Sequence, residues 1–234
     1  SMGRARAITR AAVCKSNLHQ LSLALRQYTV VYRHSIFPYN LAHDYFWPSI
    51  LEPYYGDTGG VQVCPDAPVD YENQWGYDPW YAAPGITVPF SGWGTVNVAW
   101  GRPPTMGSFI GGHDGSYAWN AWMHGGTADT RYFRRLNNVR RGSSTPLWTD
   151  GMWVDTWFQN DSNGTVTPPP PHLRGSNALP SRMAGRVCLD RHRRAVSAVF
   201  VDGSARRVPL EDLWKLSWNT RSTPMDPPGP LPNE

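Results

Sequence analysis

The chain has 234 residues and a formal charge of +4, room for one large domain or two small ones, and nothing in it forces a second domain. Twelve tryptophans, eleven tyrosines, 22 glycines and 22 prolines against 17% charged residues describe a loop-rich protein with an aromatic core. The arginines gather at 131–141, 182–194 and 206–207 but on no helix-turn-helix, zinc-finger or RNP-like pattern, so charge alone does not make nucleic acid a partner.

Residues 3–32, GRARAITRAAVCKSNLHQLSLALRQYTVVY, lack Gly and Pro after the first position. Ile8, Ala11, Ala12, Leu18, Leu21, Leu25 and Tyr28 recur at three- and four-residue steps, which predicts an amphipathic helix. Its turns up to Arg10 are basic and poor in apolar residues, so they are expected to stand clear of the core. The opening Ser-Met has the look of a cloning scar, which implies a natural N-terminus further upstream. No segment has the roughly 18 to 20 apolar residues that span a bilayer.

Beyond Pro38 the chain turns loop-rich, with a short helix expected near His43–Leu51 despite Pro48. VQVCPDAP (61–68) reads as a short strand broken by Pro65. Residues 71–104 read as a long loop or insertion of Trp, Tyr, Gly and Pro. GSYAWNAWM (115–123) and TPLWTDGMWV (145–154) alternate like strands, and 160–181 reads as a loop. Ala195–Val201 is small or apolar on both faces, as in a central strand. Asp202-Gly203 is a hairpin signal of the type I′ kind, with SARRV returning as the partner strand. Leu210, Leu213, Trp214 and Trp218 mark a short amphipathic helix. The expected organisation is a helix over 1–32, a single β-rich head over 33–220 and a disordered tail over 221–234.

Cys14, Cys64 and Cys188 have no CxxC spacing. One disulfide and one free thiol fit the count, and Cys64 and Cys188, the two in the globular part, are the expected pair, in an oxidising compartment. That bridge would close a loop of more than a hundred residues, worth about 4 to 5 kcal/mol in the chain-entropy model. Two buried thiols are the alternative.

Candidate chemistry is scattered, because no HExxH, phosphate loop, GxSxG elbow or EF-hand pattern occurs. His192 precedes Asp202 by ten positions, about 33 Å along a straight strand, so the two cannot share a metal or a proton. His43-Asp44 and His113-Asp114 are adjacent pairs that turn chemistry explains without catalysis. Asp150, Asp155 and Asp161, with Asn160 and Asn163, offer oxygen ligands to calcium in no standard loop spacing. Turn chemistry explains these residues too, so no cofactor is expected and calcium is the one alternative. Asn160-Asp-Ser and Asn163-Gly-Thr match glycosylation sequons, which recur by chance. Trp75, Trp80 and Trp93 could form a platform that stacks on sugar rings, whereas Trp119, Trp148, Trp153, Trp157, Trp214 and Trp218 sit beside predicted elements and read as core.

Several blocks together resemble a family. CKSNLHQLSLALRQYTVVYRHSIFP, VCPDAP, GSYAWNAWM, TPLWTDGMWVD and RVCLDRH, followed by RHRRAVSAVFVDGSARRVPLEDLWKLSW, resemble in order the bacterial prepilin-like proteins with a His-x9-Asp-Gly C-terminal motif. These are planctomycete-type relatives of type II secretion pseudopilins and type IV pilins. The resemblance covers about residues 4–66 and 115–219, with His192, Asp202 and Gly203 as its signature. Arg193-Arg194 stands where the family has Asn-Gly. The resemblance implies an α+β pilin-like fold, a long N-terminal helix on an antiparallel sheet, and an apolar membrane segment upstream of Gly3. It also implies a non-enzymatic envelope subunit that assembles with other pilin or pseudopilin subunits. The head would lie outside the cytoplasmic membrane or in an extracellular filament. A secreted carbohydrate-binding module, or a pilin head that binds polysaccharide through its Trp-rich insertion, is the alternative.

Overall fold

The structure is a computed structural model that describes residues 2–39, 46–56, 60–70, 93–101, 113–161, 166–177 and 179–233. His43, Asp44, Trp75, Trp80 and Asn163 lie outside the described residues.

The long run without internal glycine or proline forms helix α1 (Met2–Val31), about 45 Å of rise at 1.5 Å per residue. Its buried positions, Cys14, Asn17, Leu18, Leu21, Ser22, Ala24, Leu25, Tyr28 and Thr29, follow the three- and four-residue steps of one face. Two polar members of that face are satisfied within the helix, Ser22 Oγ donating to His19 O and Thr29 Oγ1 to Arg26 O. Asn17 instead donates to Gly60 O and Val63 O, tying the helix to the following loop. No described side chain before Cys14 is buried, as the basic opening turns predicted.

Helix α2 (Trp47–Tyr55) begins four residues later than the sequence reading, with Pro48 in its first turn, where a missing N–H costs nothing. VQVCPDAP is not a strand. Val63 N donates to Gly60 O and Ala67 N to Cys64 O, so the segment closes into turns.

Five strands make a mixed sheet in the order β3-β1-β2-β4-β5. They are β1 (Tyr117–Asn120), β2 (Pro146–Asp150), β3 (Asp155–Thr156), β4 (Ala195–Phe200) and β5 (Ala205–Pro209). All pairs are antiparallel except β1 with the two-residue β3, so the expected purely antiparallel sheet is corrected at one edge. β4 is buried along its whole length, because β2 and β5 flank it and α1 packs on it.

The β4–β5 turn differs in type from the reading of its Asp-Gly pair. Gly203 alone has positive φ (89°), and Phe200 N donates to Ser204 O, which makes a three-residue loop with glycine in the left-handed position. The two-residue turn with positive φ at both positions lies instead at Arg193 (57°) and Arg194 (56°), where His192 N donates to Ala195 O. The backbone thus takes the conformation that Asn-Gly would favour although arginines occupy it.

The core is aromatic. Trp47, Trp100, Trp119, Trp148, Trp214 and Trp218 are fully buried. Indole N–H groups of Trp47, Trp100, Trp122, Trp214 and Trp218 donate to Val154 O, Tyr117 O, Phe158 O, Thr167 O and Leu213 O. These five rings remove a large apolar area from water and also satisfy backbone carbonyls, whereas the buried indole N–H groups of Trp119 and Trp148 have no partner among the described residues. The C-terminal segment is ordered against expectation: Met225 N donates to Trp214 O, Ser222 bridges Asp161, and Arg194 reaches Pro232 O. No described helix is long and apolar enough to cross a membrane.

Candidate functional site

The polar residues that the fold brings together lie where the end of β2, the turn before β4, the N-terminal half of α1 and the 60–67 loop meet. Asp150 closes β2 and is wholly buried. Its carboxylate accepts from Ser197 N at 2.5 Å and lies 3.2 Å from His192 Nε2 and 3.4 Å from Arg191 Nη1. The other ring nitrogen of His192, Nδ1, lies 3.1 Å from Asp66 of the loop. Two carboxylates thus take both imidazole nitrogens, the arrangement that suits a doubly protonated ring.

Arg191, whose side chain is fully buried, spends its donors on backbone. It reaches Ser116 O (2.6 Å), Thr95 O (2.8 Å) and Val96 O (2.9 Å) besides Asp150. The guanidinium therefore sews the 93–101 segment and the start of β1 to the end of β2.

The electrostatics follow from burial set against these partners. Burial opposes the charge on His192, but the hydrogen bond and charge of Asp150, with the Cys64 sulfur beside it, raise its pKa to about 10. Burial likewise opposes ionisation of Asp150, and the His192 hydrogen bond with the positive charges of Arg191 and His192 outweighs it, so the carboxyl titrates below its ordinary 3.8. The pair is an internal ion pair at neutral pH.

Two sulfurs complete the cluster. Cys64 Sγ lies 3.7 Å from His192 Nε2, and the sulfurs of Cys14 and Cys64 and the nearer His192 nitrogen all fall within 4.8 Å of one another. Cys14 comes from the first buried turn of α1, Cys64 from the 60–67 loop. The hydroxyl of buried Tyr117 faces Cys14. A thiol contact with Cys14 and burial push the Cys64 thiol far above its ordinary range.

Cys64 thus lies beside Cys14, and the expected Cys64–Cys188 disulfide is corrected: in this structure none of the three cysteines is bridged, and the sulfur grouped with Cys64 is that of Cys14. Cys188 is buried near the charges of Glu211 and Arg194, and burial pushes its thiol up to about 12. The pairing expectation failed because it left the helix out of the globular part, whereas α1 lies on the sheet from Cys14 onward.

The calcium candidates do not converge. Asp150 is paired with His192 and Arg191, Asp155 is paired with Arg186 at 2.8 Å, and Asp161 sits in the backbone bridge to Ser222. Each of the first two already has a cation, and among the described residues the three form no common group. Burial raises the Asp155 pKa to about 6 even with Arg186 beside it. Asn160 is fully buried and donates to Trp214 O and Leu216 O, which leaves its sequon no room for a glycan.

Trp93 is not part of an exposed platform. Only 4% of it is accessible, its ring stacks on Trp153 at 3.9 Å, and the Arg186 guanidinium lies 5.2 Å from its centroid. His192 and Asp202 have separate partners, as strand geometry requires, for Asp202 accepts from Ser204 in the hairpin loop. His113 and Asp114 precede β1 and do not join the cluster. Sequence reading missed Cys14, Asp66 and Arg191. A buried arginine beside the signature histidine was the available signal, since a guanidinium adjoining a central strand needs acceptors.

Comparison with protein-family models, with curated proteins and with solved structures finds no match.

Proposed function

We propose that the chain is the head and helix of a pilin-like or pseudopilin-like envelope subunit. It is a non-enzymatic component that assembles through its helix into a filament or secretion-associated complex, with the head outside the cytoplasmic membrane. The observation that carries this reading is the two-sided character of α1. One face, from Cys14 to Thr29, packs on the sheet and on α2, while Ile8, Leu23, Val30 and Val31 on the rest of its surface are between 44% and 74% exposed. The turns before Cys14, roughly 18 Å of helix, bury no described side chain.

In a soluble monomer such a helix gains little from apolar side chains turned to water; in a bundle of parallel helices they become contacts. The cluster around Asp150 fits a structural role in this account. It locks the turn before β4, the loop after α2 and the base of the helix into one unit, so that force on the helix reaches the sheet.

The natural gene and the natural protein test the reading. Expected are a prepilin-peptidase site followed by about 20 apolar residues upstream of Gly3, and recovery of the protein in the membrane or sheared surface fraction. A protein recovered wholly from the cytosol, with no apolar segment upstream, would overturn it.

A further inference from the structure

Among the described residues, the strongest unassigned chemistry is the thiol pair at the base of the helix. We infer that Cys14 and Cys64 form a disulfide that staples α1 to the 60–67 loop at the point where the helix leaves the head.

Four observations support it. The two sulfurs and His192 Nε2 lie within 4.8 Å of one another, and both cysteines are fully buried, so the fold already holds the two sulfurs side by side. The backbones that carry them are already pinned, Asn17 of the helix donating to Gly60 O and Val63 O on either side of the loop's turn. A surface cavity of about 500 Å³, lined by Val13, Asn17, Val63, Cys64 and Pro65, leads to Cys64. Finally, both nitrogens of His192 are taken by Asp66 and Asp150, so the ring has no lone pair to offer a metal, and a bridge between the two sulfurs needs none. A metal there would also require two buried thiolates, whereas the disulfide is neutral.

The oxidant is a small or protein disulfide, such as oxidised glutathione or a thiol–disulfide oxidoreductase. The Cys14 contact and burial hold the Cys64 thiol protonated, so the step runs through its small deprotonated fraction, and that thiolate, 3.7 Å from the His192 ring, attacks one sulfur of the oxidant. One thiolate of the oxidant leaves, and a mixed disulfide remains on Cys64. The Cys14 thiol then gives up its proton and attacks the Cys64 sulfur, expelling the second thiolate. Two electrons pass to the oxidant, and its two leaving thiolates take up the two protons given by Cys14 and Cys64 to become thiols.

The position of the staple has a consequence. Cys14 is the first buried residue of α1 among those described, so the bridge lies where a load on the exposed turns enters the head. Cys188, buried elsewhere, stays reduced.

The test is made on the purified protein with a defined oxidant, so it reports the geometry of the pair whatever compartment the protein occupies, and its failure is distinct from failure of the proposed function. The chain and a Cys188→Ser variant are incubated with oxidised glutathione, alkylated in denaturant without reductant, and mapped by mass spectrometry. Expected in both is a product two hydrogens lighter in which the Cys14 and Cys64 peptides are joined, with Cys188, where present, alkylated. A melting temperature that falls on reduction should be seen in both proteins and be lost in Cys14→Ser. A Cys64–Cys188 peptide, stable glutathionylation without closure, or free alkylation of all three thiols would overturn the inference. So would a reduced protein that retains Zn²⁺ with Cys14 and Cys64 protected from alkylation.

Discussion

His192 illustrates how one residue serves architecture through chemistry. Its two nitrogens join a carboxylate from the loop after α2 to one at the end of β2, and its backbone opens the turn into β4. Removing the cation strands Asp150, a wholly buried anion, so His192→Asn should cost about 3 kcal/mol in denaturant unfolding. The pH dependence has a definite sign. His192 has a folded pKa of about 10 against 6.5 unfolded, so its contribution is complete below pH 6.5 and is lost as pH rises towards 10. Asp150 is shifted down, so its contribution is present above 3.8 and is lost as pH falls through its lower folded value. Unfolding measured across pH should therefore show falling stability on the alkaline side from about pH 6.5, and His192→Asn should flatten that limb. Arg193 offers the opposite experiment. It holds a left-handed backbone (φ 57°) that asparagine adopts more readily, so Arg193→Asn should stabilise by about 1 kcal/mol in the same assay.

At the level of elements, what was legible depended on how local the determinants were. Helix α1 was legible because no glycine or proline interrupts it after Gly3 and its apolar steps run from Ile8 to Tyr28, and β4 because small apolar residues on both faces fit only a covered strand. The β4–β5 hairpin was legible from Asp202-Gly203, yet its loop type was not. Only Gly203 takes positive φ, since Val201 joins the loop and Val201 N donates to Thr145 O. Gly203→Ala would meet nothing nearer than Arg26 Nη2 at 3.6 Å, so its cost is that of the backbone alone, about 1 kcal/mol by thermal or chemical unfolding. VQVCPDAP failed as a strand because its alternation is shorter than one strand and its carbonyls are claimed by turns and by Asn17. The candidate cluster was half legible. His192 stood out through its motif, but Asp66, Asp150 and Cys14 reach it from segments distant in sequence, and no local pattern predicts which carboxylate a buried cation will meet.

For the whole molecule, the indole groups explain why a chain so rich in proline and glycine needs few strands. Their rings fill the interior while the N–H groups of Trp47, Trp100 and Trp214 hold backbone carbonyls, and the C-terminal segment reaches Trp214 through Met225 N. Among the described residues more than half of the exposed large apolar side chains lie on α1, and the proposed role as an assembling subunit rests on them. The direct measurement is the size of the natural, full-length protein in membrane extracts or sheared surface material, with Leu23 and Val30 each changed to Arg. Both side chains are exposed on α1, so neither change should move the unfolding free energy by more than about 0.5 kcal/mol. The account predicts that the large assemblies are lost while the head keeps its stability; assemblies of unchanged size in both variants would contradict it.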